Sequence, residues 1–556
     1  MSRDRPDAGR SGPAPPPPRA NLRFLPVRED IILVETVDLA AARALYSALK
    51  SDTLPAVRQL IPAARTVQVT FDPAALSASQ LAAAISSRAD PSKSVETGPL
   101  IEIPVIYDGE DIDELAALLG LTRDELTARH IGSDYFVAFT GFAPGFAYLA
   151  GGDPKLNAPR RPTPRTQVPA GSVGLAGEFS GIYPKTSPGG WQLIGRTPLD
   201  MFDLNRDPAS LLQPGFRVKF RQIDKMKGSA ERKPSATARS STIAAAPAGA
   251  PTAAGLIVVA SAFPILFQDL GRPGFADQGV SLSGAADKAS LSLANQIAGN
   301  SPTGNSHGAP ALEITAGQAQ LRAVGRSTIA LAGAPVPIMI TSANGTAFSA
   351  PMGRPIALED GDLISIGAPP TGLRTYLAAR GGFDVKRVLD SASTDTLAQI
   401  GPAPLKAGDQ IAVGKYAGET HRRSADLPAF AMPRRDDIIE LDVVMGPRTD
   451  WFTPESIKQF ASQIWRVTPQ SNRIGLRLDG APLKRLITHE LPSEAAAQGA
   501  IQIPADGKPV LFLADHPLTG GYPVIANVAL RHLDLAGQIP LGAQVRFVPL
   551  APFAEI

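Results

Sequence analysis

The stretch QVPAGSVGLAGEFSGIYP (Gln167–Pro184) has a counterpart near the end of the chain in QIPADGKPVLFLADHPLTGGYP (Gln502–Pro523). Each carries Gln, an aliphatic residue, Pro-Ala, a short apolar strand and then Gly-x-Tyr-Pro. The shared register of Gln167 with Gln502, Pro169 with Pro504, Tyr183 with Tyr522 and Pro184 with Pro523 predicts two units of one fold. Between them lies Lys225–Gly255, rich in Ala, Ser, Pro, Lys and Arg and without aromatic or periodic apolar residues, which reads as an interdomain linker.

Working outward, Met1–Ala20 is polar and Pro-rich, with PPPP at Pro15–Pro18, and predicts an extended tail over 1–21. From residue 22 to 98, short apolar strands (Asp30–Glu35, Thr66–Phe71) alternate with Ala/Leu-rich helical stretches (Leu39–Leu49, Ser79–Ser87), the pattern of a small α+β domain. A barrel unit is expected over 99–222, with helices Asp111–Leu119 and Thr122–His130 joined by Gly120 and a Thr122/Glu125 capping box. After a linker placed at 223–255, residues 256–556 read as many short strands separated by turn signals at Gly317–Gln318, Asn344–Gly345, Asp360–Gly361 and Asp506–Gly507. The polar segment Lys415–Arg435 divides this stretch into halves 256–415 and 436–556. The expected class is mainly β with α+β.

A chain of 556 residues predicts three or four domains at roughly 150 residues each. The 53 Pro and 51 Gly punctuate it too often for long helices to dominate. Lys+Arg total 54 against 52 Asp+Glu, a net charge of +2 that argues against nucleic acid or an anionic membrane as partner. Zero Cys excludes disulfides, thiolate metal sites and Cys nucleophiles. The N-terminus lacks the apolar core of a signal peptide and no apolar run suits a bilayer, so a cytoplasmic protein is expected.

Nucleotide motifs of the usual kinds are missing, since there is no Gly-x-Gly and neither Gly414–Lys415 nor Gly507–Lys508 is preceded by the Gly a P-loop needs. Gly304–Gly308 matches G-x-S-x-G in letters, but Pro302 and Pro310 bracket it and make it a surface loop. His489–Glu490 begins a zincin-like motif that ends in Ser493, so no metal site follows. The densest polar cluster is Arg160, Arg161 and Arg165, held by Pro159, Pro162 and Pro164, with Lys185 further on. Proline-pinned guanidinium groups suit a carboxylate or phosphate. Phe142, Tyr183 and Trp191 surround the cluster, and Gly141, Gly145, Gly189 and Gly190 let backbone N–H groups approach a ligand. Pro144, Ser172 and Ser187 belong to the same candidate site. In the second half, Asp269, Arg272, Ser283 and Asp287 lie among turn glycines, and a helix starts near Ala285. Downstream, Glu313, Gln502, Thr519, Gly520, Gly521 and Tyr522 add polar or turn residues at strand ends. A turn network in which Asp and Arg satisfy backbone groups is the competing reading.

These segments resemble known families. Gly141–Pro198, with its GF-x-PGF-x-YL, PRR-x-x-PR, VPAGSV and IYP-x-x-SPGGW blocks in order, is similar to the allophanate hydrolase subunit 1 (KipI-like) family. Phe267–Asn295, Ala311–Thr315, Ser393–Asp395, Ser471–Leu478 and Gln502–Pro523 resemble the allophanate hydrolase subunit 2 (KipA-like) family. The resemblance implies a fusion of the two, with two cyclophilin-like β-barrel modules plus a small N-terminal α+β domain. It also implies the B and C components of an ATP-dependent 5-oxoprolinase, which open the lactam of 5-oxo-L-proline to L-glutamate with a separate A-type 5-oxoprolinase component as partner. ATP and Mg²⁺ are the implied cofactors, a homo-oligomer is possible on this reading, and the metal ligands stay unassigned. The alternatives are a biotin-dependent carboxyltransferase of the urea carboxylase type, without a covalently bound biotin site in this chain, and a KipI-like regulator of a histidine kinase. Two departures from the resemblance stand out: LAGAPVP (Leu331–Pro337), where an acidic residue is expected after Gly-Ala, and DHP (Asp515–Pro517), where a DRQ-like turn is more usual.

Overall fold

The computed structural model describes residues 22–89, 98–224, 254–300, 307–415 and 430–556. The expected N-terminal tail, nearly all of the linker, most of Lys415–Arg435 and the Gly304–Ser306 part of the G-x-S-x-G match lie outside the described residues.

The first unit is an antiparallel sheet in the order β1-β2-β4-β3, formed by β1 (Arg23–Arg28), β2 (Ile31–Glu35), β3 (Val57–Pro62) and β4 (Thr66–Phe71). Helices α1 (Leu39–Ser51) and α2 (Ala78–Arg88) cover one face, where Ile32, Val34, Val67 and Val69 pack on Leu45, Leu49, Leu81 and Ile85. Asp38 caps α1, and Ser77 with Gln80 forms the capping box of α2. The run IILV in β2 is buried throughout because the sheet is covered on both faces. Leu25, Val27, Ile31 and Leu33 turn away from the helices and pack on Ala497 and Phe553, far along the chain.

The second unit contains β5 (Leu100–Val105), β6 (Tyr135–Thr140), β7 (Ala147–Ala150), β8 (Ser172–Ala176), β9 (Phe179–Ile182), β10 (Gln192–Arg196) and β11 (Arg217–Gln222). Its strand order is β10-β8-β9-β7-β6-β11-β5, and a bridge between Ile106 and Arg196 brings the two edges together, so the barrel is nearly closed. Helices α3 (Ile112–Leu118) and α4 (Arg123–Gly132) lie between β5 and β6, with Gly120 at φ +67° in the turn and the Thr122/Glu125 capping box formed.

The stretch 254–415 is built of a six-stranded and a five-stranded sheet enclosing one core that includes Leu256, Phe267, Leu312, Leu321 and Leu377. Strand Ala319–Val324 shows the alternation this demands, with Ala319, Leu321 and Ala323 inside and Gln320 and Arg322 out. Gly317, Gly345 and Gly361 take the positive φ values their turns require. Helix α5 (Lys288–Ala298) packs Leu291, Ala294 and Ile297 on the outer face of the five-stranded sheet.

The last unit is a closed barrel of β12 (Ile438–Met445), β13 (Trp465–Val467), β14 (Gly475–Asp479), β15 (Ala500–Gln502), β16 (Val510–Phe512), β17 (Val524–Val528) and β18 (Gln544–Pro549), in the order β12-β17-β15-β16-β14-β13-β18. Relabelling β5–β11 as β12–β18 turns one order into the other, and in both barrels the first and last strands pair in parallel. A helix, α6 (Pro454–Ser462), again follows the first strand. The duplication expected from the sequence is therefore present, but in a different register. Gln502 lies in β15, whose counterpart is β8, whereas Gln167 precedes β8 in a strand outside the barrel; Tyr183 follows β9 and Tyr522 precedes β17. The matching letters are turn residues, which recur wherever a strand ends, and they do not align the strands.

The first and last units meet across nearly the whole chain length. Arg448 is buried between Glu494 (Nε to Oε1, 2.9 Å) and Glu35 at the end of β2 (3.0 Å), and the Arg28 guanidinium donates to the Gln498 carbonyl at 2.7 Å. Burial pushes the Glu494 carboxyl up from its ordinary range, with Arg448 opposing. Arg448→Met strands that carboxylate, so we expect a stability loss of about 3–5 kcal/mol, read by urea denaturation, with β1 and β2 becoming sensitive to limited proteolysis.

Candidate functional site at the junction of the two halves

The nearly closed barrel meets the second half of the chain through its loop after β6. Gly145 N–H donates to the Gln278 carbonyl at 3.0 Å, Thr140 Oγ1 to the Ala276 carbonyl at 3.1 Å, and Ser210 N–H to Gln278 Oε1 at 3.1 Å. Gly141 is required at this seam because a Cβ there would lie 2.0 Å from Thr519 Oγ1. From the loop after β9, Lys185 crosses the seam and donates to the carbonyls of Leu397 (2.8 Å) and Ala398 (3.2 Å).

These loops enclose a cavity of about 240 Å³, lined by Phe142, Lys185, Ser187, Ser281, Gln399 and His516 among others. Phe142 (φ +63°), Gln399 (φ +58°) and, just behind, Ser283 (φ +51°) all hold left-handed backbone that non-glycine residues rarely adopt. Strain of this kind persists where the surroundings impose it and gathers at binding sites. Two side chains of the lining, Lys185 and His516, keep hydrogen-bonding capacity unspent. Lys185 has given two of its three N–H groups to carbonyls. The Ser187 hydroxyl has no hydrogen-bond partner, but its oxygen is closed off from the cavity. His516 Nδ1 contacts the Pro517 carbonyl at 2.9 Å, and since a carbonyl can only accept, Nδ1 carries the proton and Nε2 keeps its lone pair.

Under the cavity floor lies a buried ionic chain. The Asp395 carboxylate accepts from Leu397 N (3.0 Å), Ala398 N (2.8 Å) and Ser281 Oγ (3.1 Å), with Arg272 at 3.9 Å. Burial, with Asp515 adding to it, pushes Asp395 up to about 6. Asp515 binds Ser283 Oγ (2.7 Å), Thr396 Oγ1 (2.7 Å) and the Arg473 guanidinium (3.0 Å). Burial opposes its charge, yet Arg473 and these donors hold it below the usual carboxylate range. Arg473 continues to Glu313 (2.5 Å), which also accepts from Tyr376 (2.8 Å).

The sequence-expected residues divide into three groups. Phe142, Pro144, Lys185 and Ser187 line the cavity, with Gly141, Gly145, Ser283 and Thr519 forming the seam around it. Others are structural. Asp269 is fully buried and accepts from Ser391 Oγ, Ser393 Oγ and Gly271 N; Asp287 caps α5 through Ser290 N (2.9 Å). Arg272 is buried against Ser393 and Asp395, and Glu313 sits inside the ionic chain. The expectation that Asp269, Arg272 and Asp287 line a shared pocket is corrected: none lines the cavity, because turn and helix-start amides claim the two carboxylates. Gln502 is buried in β15 beside Gly520, and Ser172 at the start of β8, while Tyr522 is half exposed.

The arginine trio separates. Arg161 and Arg165 both reach Asp111 at 2.6 Å, whose other oxygen accepts from Leu193 N at 2.7 Å. Both guanidinium groups are tied to this one carboxylate inside their own barrel, and neither lines the junction cavity. Arg160 instead faces a separate cavity of about 880 Å³ with Trp191, Phe136 and Arg43, where it lies 3.6 Å from Glu490 of the last unit. Tyr183 is buried beneath Phe142 and Phe146, its hydroxyl filling the space a Gly189 side chain would need; the Gly190 carbonyl accepts from Arg161 N at 2.8 Å. His516, Asp395, Ser281 and Arg473 escaped the sequence reading because their polar neighbours come from distant segments; DHP and the Ser393–Asp395 block were the available signals. Among the described residues no three His, Asp or Glu side chains converge on a metal-sized site, and His489 packs on Trp451.

A barrel with a small α+β domain before it, pressed by its loops on a second half that ends in the same barrel, defines the two halves of a carboxyltransferase-type domain carried in one chain. The profile described as carboxyltransferase domain, subdomain C and D, matches residues 22–212, and that for subdomain A and B matches residues 278–549. The second half is 35% identical over 285 residues to the C component of 5-oxoprolinase from Escherichia coli K12, an alignment covering 50% of this chain and 86% of that protein. The first half is 46% identical over 127 residues to the B component of 5-oxoprolinase from Bacillus subtilis, covering 22% of this chain and 53% of that protein. The crystal structure of TTHA0988 superposes with a TM-score of 0.76 at 31% identity, over 93% of this chain and 99% of that one. The chain belongs to the carboxyltransferase-domain family of fused allophanate hydrolase subunits 1 and 2, homologous to the B and C components of 5-oxoprolinase.

Two measurements probe the seam. Gly141→Ala drives a methyl into Thr519, so its midpoint of thermal unfolding falls, and adding Thr519→Ala recovers most of the loss. Burial holds His516 down at about 4 and His130, between Tyr107 and Ser180, at about 3. The unfolded imidazoles titrate near about 6.5, so between there and the folded values the unfolded chain binds more protons, and stability is lost as pH falls through that window. His516→Gln should retain more of its neutral-pH stability at about pH 4.5 than the parent does, read from urea midpoints.

Proposed function

We propose that this chain is the B/C part of an ATP-dependent 5-oxoprolinase, and that the junction cavity holds the cyclic amide. The supporting observation is a small chamber made by both halves, with strained backbone at Phe142 and Gln399 and with unspent hydrogen-bonding capacity on Lys185 and His516. A lactam bearing a carboxylate offers one N–H donor and several acceptor oxygens. On this reading His516 Nε2 accepts from the ring N–H, while the remaining Lys185 N–H donates to its oxygens. A site built to hydrogen-bond N–H and C=O discriminates against isosteres lacking them.

A lactam carbonyl resists hydrolysis, and ATP would supply the phosphoryl group that makes the amide oxygen a leaving group before water adds. The residues here orient the ring, exclude bulk water and place positive charge near oxygen where negative charge develops. Lys185 is the cation best placed, its pKa lowered by burial while Asp395 opposes. No carboxylate cluster among the described residues marks a protein-made Mg²⁺ site, so none is assigned. The names of the relatives, each one component of a larger enzyme, support a partner chain supplying the remaining step. A second reading, carboxyl transfer, is favoured by the description of the matching profiles.

The assay is ATP hydrolysis by the full chain with an A-type 5-oxoprolinase component, with and without 5-oxoproline. Stimulation by 5-oxoproline is expected, with Lys185→Met lowering kcat/KM by roughly a hundredfold or about 2.7 kcal/mol. Arg160→Ala should stay within about twofold. No stimulation, together with transfer of the carboxyl group from carboxybiotin to an amide acceptor, releasing biotin, would favour the second reading.

A further inference from the structure

A third cavity, of about 520 Å³, lies beyond the junction chamber, between the N-terminal sheet and the second half. The two chambers share Ser281, His516 and Leu518 as lining residues, so one thin partition separates them. His516 is 8% exposed and its Nε2 has no hydrogen-bond partner among the described residues. The outer chamber presents three cations and two carboxylates, Asp30 and Asp534. Arg28 is committed to Asp30 at 2.6 Å, and Arg58 to Asp72 at 2.7 Å. Lys288, at the first turn of α5, makes no side-chain hydrogen bond or ion pair among the described residues. The nearby Asp534 carboxylate is occupied by the amides of Lys288 (2.9 Å) and Ala289 (3.3 Å). Its oxygens therefore answer the helix start, and the Lys288 ammonium is left without a hydrogen-bonded partner among the described residues. Burial pushes the pKa of that ammonium down, with Asp534 only partly opposing. Gln59, Gln68 and Thr70 add polar groups to the opposite wall.

We infer that the outer chamber takes the oligophosphate end of a nucleotide on Lys288, while the inner chamber takes the cyclic amide, with His516 at the partition they share. This rests on the 5-oxoprolinase reading for the inner ligand only. The sizes agree with the assignment, since the larger chamber serves the larger molecule and both lie in or near the usual range for small-molecule sites. The uncommitted ammonium, a compact point charge on a flexible stem, suits phosphate oxygens. The location also gives the N-terminal domain a role, because its sheet supplies one wall of the outer chamber.

Calorimetric titration of the full chain with inorganic tripolyphosphate and, separately, with 5-oxoproline tests this without turnover. Tripolyphosphate should bind the parent chain, Lys288→Met should weaken it by at least about tenfold, and Lys288→Arg should restore most of it. Lys288→Met should leave 5-oxoproline binding within about twofold, whereas Lys185→Met should show the opposite pattern. Unchanged thermal midpoints guard against misfolding. If tripolyphosphate fails to bind the parent chain, or binds Lys288→Met and Lys288→Arg as tightly as the parent, the assignment is overturned. If 5-oxoproline alone fails to bind while tripolyphosphate binding stays Lys288-dependent, the phosphate chamber stands and the oxoprolinase reading falls.

Discussion

The guanidinium of Arg473 cannot be buried alone. It lies between Glu313 of the two-sheet unit and Asp515 of the last barrel, and it donates to the Gly284 carbonyl at 2.6 Å. Removing one member of such a set leaves an uncompensated charge in a dry interior, which costs far more than an exposed pair contributes. The two units must therefore stay in one relative position. That position fixes Asp515, which fixes Ser283 and Thr396, and the adjoining His516 and Asp395 follow. The junction chamber is the surface expression of this internal tie.

Against that frame the charges of the first barrel take on a different meaning. Asp111 gathers Arg161, Arg165 and the Leu193 amide, so a conspicuous basic motif closes the barrel internally. The cations we propose for ligands are inconspicuous in the sequence, Lys185 beside a proline and Lys288 at a helix start. Clustering in sequence marks where charge is dense; only the fold says whether a carboxylate has already claimed it.

Much of the architecture was legible. The alternation in Thr66–Phe71, the capping box at Thr122 and Glu125 and the glycine turns at Gly345 and Gly361 are local signals, and local physics decides them. The duplication was legible too, but not its register, because turn residues recur at every strand end while pairing is set by partners far away. At the site, Phe142, Lys185 and Ser187 stood in a recognisable block. His516 and Asp395 did not, since their importance comes from segments more than a hundred residues distant. The carboxylates Asp269 and Asp287 misled for a related reason, as their acceptors are consumed by nearby amides and hydroxyls.

The central claim is that one ligand chamber is shared by both halves of the chain. Amide hydrogen exchange of the full chain, with and without 5-oxoproline, measures it most directly. The account predicts added protection together in 141–146, 183–188, 396–399 and 515–519. Protection limited to one half, or located instead around 157–160 and 176–179, would contradict it.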